Sequence, residues 1–248
     1  MKKLVIALPF FDGDWEQAEM LALVVDWIQA KSLIPKRPNV EFCFVNKHGH
    51  SRINPAVMAS LNFTFAPCTE FETVTAAEGH PKSCNAQAID FFRESLRRVQ
   101  TGQWKGVDAI LWMEPDCVPV AHDWIDQLMH EWDYAITVAP ALVVGCYRTE
   151  NVDVPHVNGN ALWHPELAKH IDLNVTMEGK GWDSALADQL KGRFVQTSLI
   201  ANLWKETKVT DERMKANPFT PKGTPPPVLI HGVKDDSAWL FARRQLGI

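Results

Sequence analysis

Glu114 and Asp116 are the two side chains of this 248-residue chain whose type and spacing most directly suggest chemistry. Only Pro115 separates them. Two carboxylates held this close repel each other unless a cation or a proton lies between them. Hard oxygen donors in a loop suit Mg²⁺ or Mn²⁺, which keep some of their waters and take phosphate oxygens as further ligands. The same pair also fits two solvated acids that simply follow a strand.

The flanking residues say how the pair would be held. Val107 to Met113 is apolar except for Asp108, which reads as a buried strand. Pro115 removes a backbone donor and restricts Glu114 to extended geometry, so the strand ends there, and Pro119 prolongs the break. His122 and Asp123 lead into WIDQLMHEW, a helix with Asp123 as its N-cap. The acids therefore sit at the carboxyl end of a buried strand, where open α/β sheets place their ligands.

Earlier in the chain, Lys3 to Phe11 reads as a strand. Asp12 or Asp14 then caps a helix with Trp15, Ala18, Leu21, Ala22, Val25 and Ile28 on one face. This opening carries neither GxGxxG nor GxxxxGK[ST], so it is neither the dinucleotide fingerprint nor a P-loop. VEFCFVNKH is a second strand, and LNFTFAP reads as strand in a region with few helix signals. A helix capped by Ser83 follows, with Ala86, Ile89, Phe92, Leu96 and Val99 inward and Arg93, Arg97 and Arg98 outward. Lys82 and Asn85 stand at its start, where free N–H groups favour an anion such as a diphosphate; a solvated loop lysine fits Lys82 equally.

After the acids, YAITVAPALVVGCY reads as one or two strands broken near Pro140. Asn158-Gly159-Asn160 carries a hairpin-turn signal, and HPELAKHI a short helix. Gly179 and Gly181 mark a loop, with Asp183 or Ser184 as the next helix cap. RFVQTSLIANLW is a strand and its continuation, Lys205 to Gly223 is polar and Pro-rich, and VLIHGVKDD gives a short strand before a last helix. A lone histidine at a strand end, as His231 is, is more often structural than a ligand.

Composition is that of an ordinary soluble α/β domain: 46% hydrophobic, 22% charged, net charge −5 and pI near 6.0. It demands neither a nucleic-acid nor a membrane partner. Residues 191–223 hold seven Lys or Arg and three Asp or Glu, a local +4 that leaves −9 for the rest. The five cysteines form no CxxC pair, which points away from zinc and a disulfide framework and towards a reducing cytoplasm. MKKLVIALPFFDGD resembles a signal peptide for a few residues only and is read as the first strand, and no apolar run is long enough to span a bilayer. Of the ten tryptophans, several belong in a core, and others suit a sugar or base face.

Four motifs now stand in a specific order: EPD after a strand, VNGNALW, GWDSALADQL and VLIHGVKD. The series resembles the GT-A superfamily of nucleotide-sugar-dependent glycosyltransferases. EPD looks like its DxD motif, with Glu114 in place of the first Asp; NGNA resembles its glycine loop; GWD resembles its acidic motif. GWDSA lacks the usual second acid, and only Glu70 and Glu72 are candidates for the acidic nucleotide ligand.

The resemblance implies a single GT-A-like domain over 1–248: a Rossmann-like mixed sheet flanked by helices, with a nucleotide-sugar half to about 120 and an acceptor half after it. It implies a divalent ion, Mn²⁺ or Mg²⁺, on Glu114, Asp116 and His231. A UDP-sugar would lie against Pro9, Phe10, Asp12, Lys82, Asn85, Glu114, Pro115, Asp116, Asn158, Gly159 and Lys234. Asp183 would be the base of an inverting transfer. Small enzymes of this kind occur in bacteriophages, so the implied acceptor is a hydroxymethylated pyrimidine in DNA, in the host cytoplasm. Arg93, Arg97, Lys205 and Arg213 would then meet phosphates, and Trp182 the acceptor. Rival acceptors are a saccharide, a lipid-linked sugar or a protein side chain. Rival classes are a nucleotidyltransferase, which wants a basic Gly-rich loop where ALPFFDGD offers acids, and a noncatalytic sugar-nucleotide binder. No protein partner is implied.

Overall fold

The computed structural model describes residues 2–11, 13–47, 53–65, 67–73, 84–148, 152, 154–175, 180–203, 209, 225–232 and 237–247, without the side chains of 47 and 84–86. Its strands are β1 (Leu4–Pro9), β2 (Val40–Lys47), β3 (Cys68–Thr73), β4 (Ala109–Trp112), β5 (Cys117–Pro119), β6 (Val143–Arg148), β7 (His156–Trp163), β8 (Phe194–Gln196), β9 (Ile200–Asn202) and β10 (Leu229–His231). The helices are α1 (Trp15–Ala30), α2 (Pro55–Thr64), α3 (Cys84–Gln100), α4 (Trp124–Val138), α5 (Trp182–Ala185), α6 (Ala187–Leu190) and α7 (Ser237–Leu246).

Seven strands form one sheet in the order β3-β2-β1-β4-β7-β6-β8. β1 pairs in parallel with β2 and β4, and β7 runs antiparallel to both β4 and β6. This is the mixed sheet flanked by helices that the motif order implies. β1 and β4 are buried along their whole length, as strands covered by helices on both faces must be. Side chains alternate between the faces. Leu4, Ile6 and Leu8 pack towards α1, α2, α4 and α7, while Val5 and Ala7 pack towards α3, α5 and α6. Five of the tryptophans, Trp104, Trp112, Trp124, Trp132 and Trp163, are fully buried.

Five local readings are corrected. LNFT is the end of α2, not a strand. Asn54 accepts the Ala56 N–H at 2.9 Å, Pro55 opens the first turn where no N–H is needed, and Val57, Leu61 and Thr64 turn inward at helical spacing. Tyr134 to Val138 finishes α4, because the stripe Trp124, Leu128, Trp132 and Ala135 carries helical burial through it and leaves Val138 exposed. Asn158-Gly159-Asn160 is no turn: it lies inside β7, whose eight residues are all buried. The N-cap of α5 is Gly181, which leaves Asp183 within its first turn. Arg98, expected on the wet face of α3, lays its guanidinium over the Phe71 ring at 3.8 Å.

A second, three-stranded sheet has the order β5-β10-β9. β10 runs antiparallel to β5 and parallel to β9, with His231 opposite Cys117 on one side and Asn202 on the other. Its apolar residues Val118, Ile200, Leu229 and Ile230 join the core on the α1 and α4 side of the large sheet.

Because α2 is entered through a single side-chain cap, Asn54→Ala should lower stability by about 1 kcal/mol, measured as a shift in the urea unfolding midpoint.

Candidate functional site

Strand pairing brings the acids and the histidine together. β4 ends at Trp112, and the Cys117 N–H donates to the Glu114 carbonyl at 3.0 Å, closing a turn that presents both acids beyond the sheet. β5 follows at once, so the pairing of Cys117 with His231 carries the imidazole back to the same turn. His231 Nε2 lies 3.1 Å from Glu114 Oε2 and 3.2 Å from Asp116 Oδ1. One donor atom from each of the three residues lies within 4.8 Å of the others. Gly232 follows with φ of +92°, a conformation that favours glycine.

Two carboxylates and an imidazole form a donor set that fits a divalent cation such as Mn²⁺ or Mg²⁺. His231 is also held from behind: its Nδ1 lies 3.3 Å from Asn202 Oδ1, an acceptor that keeps the proton on Nδ1 and leaves Nε2 for a ligand. Burial by itself would push the His231 pKa down, but Asp116 and Glu114 outweigh it and raise the value to about 9. A proton on Nε2 and a divalent cation thus compete for the same place.

β7 runs past the end of β4, its last registered partners there being Ile110↔Trp163 and Leu111↔Leu162. The overhanging half alternates. His156, Asn158 and Asn160 are its buried polar residues, alternating with Val157, Gly159 and Ala161. Asn160 accepts the Glu114 N–H at 2.7 Å and donates to Glu114 Oε2 at 3.1 Å. Asn158 Oδ1 accepts from the Asn160 amide at 3.2 Å, while its Nδ2 donates to Asp183 Oδ2 at 3.4 Å. A Cβ on Gly159 would lie 2.5 Å from the Trp182 ring, so only glycine lets that indole rest on the strand.

Asp183 is pinned by what surrounds it. Its Oδ2 accepts the Gly159 N–H at 2.9 Å and lies 3.5 Å from His156 Nε2; its Oδ1 accepts the Ser184 N–H at 2.8 Å. Burial would raise the carboxyl's pKa, but His156 and these two N–H groups more than offset it and hold it below the ordinary aspartate value. The partnership works both ways: burial would lower His156, and Asp183 raises it.

The other expected site residues lie as follows. Pro9 is buried at the end of β1, and Phe10 is fully buried, edge-on to Phe44 at 6.3 Å. Pro115 is half-buried between the acids. Trp182 is 4% exposed and packs on Phe92, Trp112 and Trp163, which makes it a core residue that carries Asp183. Arg93 donates to the Leu173 carbonyl and pairs with Asp90, while Arg97 pairs with Glu94 in the last turns of α3. A short connection runs from that end of α3 to the start of β4, so Arg97 lies at the opposite end of the sheet from the acids. Both arginines line a cavity of about 460 Å³ between α3 and the segment 168–174, in which none of Glu114, Asp116, Asp183 or His231 takes part. Glu70 accepts from the Asn46 amide at 2.7 Å. Asp12, Lys82, Lys205, Arg213 and Lys234, and the side chain of Asn85, lie outside the described residues.

Three residues of the site were given no role of their own from sequence: Asn160, named only within the NGN turn and glycine loop, His156 and Asn202. For the first two a signal existed, since PHVNGNALW alternates polar and apolar residues with strand period. For Asn202, a polar residue ending an apolar strand, there was none.

Two outcomes follow. His231 is raised in the folded chain above its ordinary 6.5, so its stabilising contribution is complete below about 6.5 and is lost as pH rises through about 9. In chelator, thermal melts between pH 6 and 10 should therefore fall in that window, and His231→Leu should flatten the fall. Gly159→Ala, which drives a methyl into Trp182, should cost about 1–3 kcal/mol in urea unfolding.

No family model matches the chain, and no curated protein matches it. Solved structures do. The galactosyltransferase LgtC, solved with donor and acceptor sugar analogs, is 15% identical with a TM-score of 0.57, over 98% of this chain and 95% of that one. Mouse xyloside xylosyltransferase 1 is 12% identical with a TM-score of 0.53, over 95% of this chain and 98% of that one. The glycosyltransferase GlyE of Streptococcus pneumoniae TIGR4 is 11% identical with a TM-score of 0.52; all of this chain aligns, spanning 63% of GlyE. At such identities the likeness is one of architecture, and on it, together with the strand order and the acids at the end of β4, the chain has the GT-A glycosyltransferase fold.

Proposed function

We propose that this chain transfers a sugar from a nucleotide-sugar donor, a UDP-sugar, to an acceptor hydroxyl. The observation that carries this reading is the convergence of Glu114, Asp116 and His231 beyond the carboxyl end of β4 in a GT-A sheet. Those three residues would hold Mn²⁺ or Mg²⁺, which when bound supplies Lewis-acid stabilisation of the departing diphosphate.

Asp183 has two readings. As a general base acting by direct displacement it gives inversion at the anomeric carbon. As a fixed, ionised hydrogen-bond acceptor it orients a sugar hydroxyl. Its lowered proton affinity favours the second, because base catalysis works best with a pKa near the working pH. Asn158, within hydrogen-bonding reach of Asp183 and Asn160, extends the same polar surface towards Glu114.

The acceptor we propose is a hydroxymethylated pyrimidine in DNA. Its support is the +4 segment 191–223. Arg93 and Arg97 do not add to it, since both are paired within α3. No helix among the described residues is long and apolar enough to cross a membrane.

The test is a panel of sugar nucleotides with and without Mn²⁺, read as thermal stabilisation and then as transfer to hydroxymethylated DNA or to free saccharides. A UDP-sugar should stabilise the protein only with metal, and transfer should vanish in strong chelator and in Asp116→Asn. Asp183→Asn should lower transfer about 100-fold or more while donor-dependent stabilisation survives, since loss of orientation alone costs that much. Product configuration by NMR separates the readings: inversion supports the base. Donor stabilisation with no transfer to any acceptor and no donor hydrolysis would make the chain a binder.

A further inference from the structure

Asn160 has every hydrogen-bonding site of its side chain filled, although it is completely buried. Oδ1 accepts from the Glu114 N–H at 2.7 Å and from Cys117 Sγ at 3.2 Å. Nδ2 donates to Glu114 Oε2 at 3.1 Å and to Asn158 Oδ1 at 3.2 Å. The amide's orientation is not a matter of choice. A backbone N–H can only donate, so the atom facing Glu114 N is the oxygen, and the nitrogen must face the carboxylate.

Glu114 needs such a partner. A glutamate carries one more rotatable bond than an aspartate, and its side chain here is one-third exposed, against one-tenth for Asp116. Left to itself, a partly exposed glutamate samples several rotamers, and fixing it costs conformational entropy whenever a ligand must be gripped. Asn160 grips both ends of the residue at once, main-chain N–H and side-chain Oε2. The oxygen it holds is the one that faces His231 Nε2. Aspartate at 160 would offer no donor and would set a third carboxylate against Glu114. Leucine would leave the Glu114 N–H without its partner. Asparagine supplies acceptor and donor in the geometry required.

We infer that Asn160 is the positioning residue that makes Glu114 a competent metal ligand, by clamping its main-chain N–H and carboxylate from the neighbouring strand. This rests on the metal reading given above, and it assigns to Asn160 no contact with sugar or with the reacting atoms. Groups that orient metal ligands in this way typically account for 10- to 100-fold in metal affinity.

The experiment is a double-mutant cycle on Mn²⁺ affinity, followed by electron paramagnetic resonance with no donor or acceptor present. Wild type, Asn160→Ala, Glu114→Ala and the double variant are titrated with Mn²⁺. Asn160→Ala should weaken binding about 10- to 100-fold in the wild-type background and less than about 2-fold when Glu114 is already alanine. An equal loss in both backgrounds, or no loss in the first, overturns the inference, because a purely structural role ignores whether Glu114 has a carboxylate. Should Asn160→Ala fail to fold, Asn160→Ser, which keeps a polar atom in the cavity, replaces it in the same cycle; failure of both to fold assigns Asn160 to the core and overturns the inference too. Failure of the wild-type protein itself to bind Mn²⁺ is a different result: it removes the metal reading, and the inference falls with it.

Discussion

The arrangement depends on the pairing of β10, three residue pairs on each side. That strand is only Leu229–His231, yet it is the element that joins β5 to β9, and its register decides what stands beside the acids. Strand side chains alternate, so a slip of one residue would put Ile230 where His231 is and leave two carboxylates facing an isobutyl-sized hydrocarbon. Register is secured by burial: Leu229 and Ile230 are fully buried, and His231 is nearly so. An ionisable ring at that depth is tolerable only because carboxylates meet one nitrogen and an amide oxygen the other.

From that fixed point a single polar thread runs through the site. Asn202 holds His231, His231 meets Glu114, Asn160 holds Glu114, Asn158 holds Asn160, and Asp183 closes the line against His156. β7 makes this possible because it overhangs β4, so its polar residues are free to face the acids instead of another strand. Gly159 serves the same end from the opposite direction: the absence of a side chain lets Trp182 close down and bring Asp183 onto the strand's own N–H.

How much of this could be read from the chain follows from how local each signal is. β1, β2 and β4 are apolar runs bounded by Pro or polar residues, and α1 declares itself by spacing, so the parallel half of the sheet was legible. The acids were legible because Pro115 announces a strand end. His231 was not distinguishable from a structural histidine by itself and entered only through the order of motifs. α2 was missed because Asn54-Pro55 is a quiet start signal beside the β-prone LNFTF. The end of α4 was missed because Ile136, Thr137 and Val138 favour strand, whereas the decisive contacts of Trp132 and Ala135 are tertiary. Asn158-Gly159-Asn160 has the composition of a turn, and what makes it strand is an indole from residue 182 that needs the glycine's empty face. The partners of Asn160 and Asn202 lie 46 and 29 residues away, and no local pattern records distances of that kind.

The small sheet also bears on how the molecule is made. β5, β9 and β10 come from three parts of the chain, and β5 meets β10 across a separation of 114 residues, from Cys117 to His231. Until the last of the three slots in, the other two present open edges and the acids have no imidazole. Closing loops that long is slow relative to forming local helices. The large sheet needs a closure of similar length, since β1 meets β4 with Leu4 opposite Ala109, so both sheets are long-range constructions, and the acids gain their imidazole only when β10 docks.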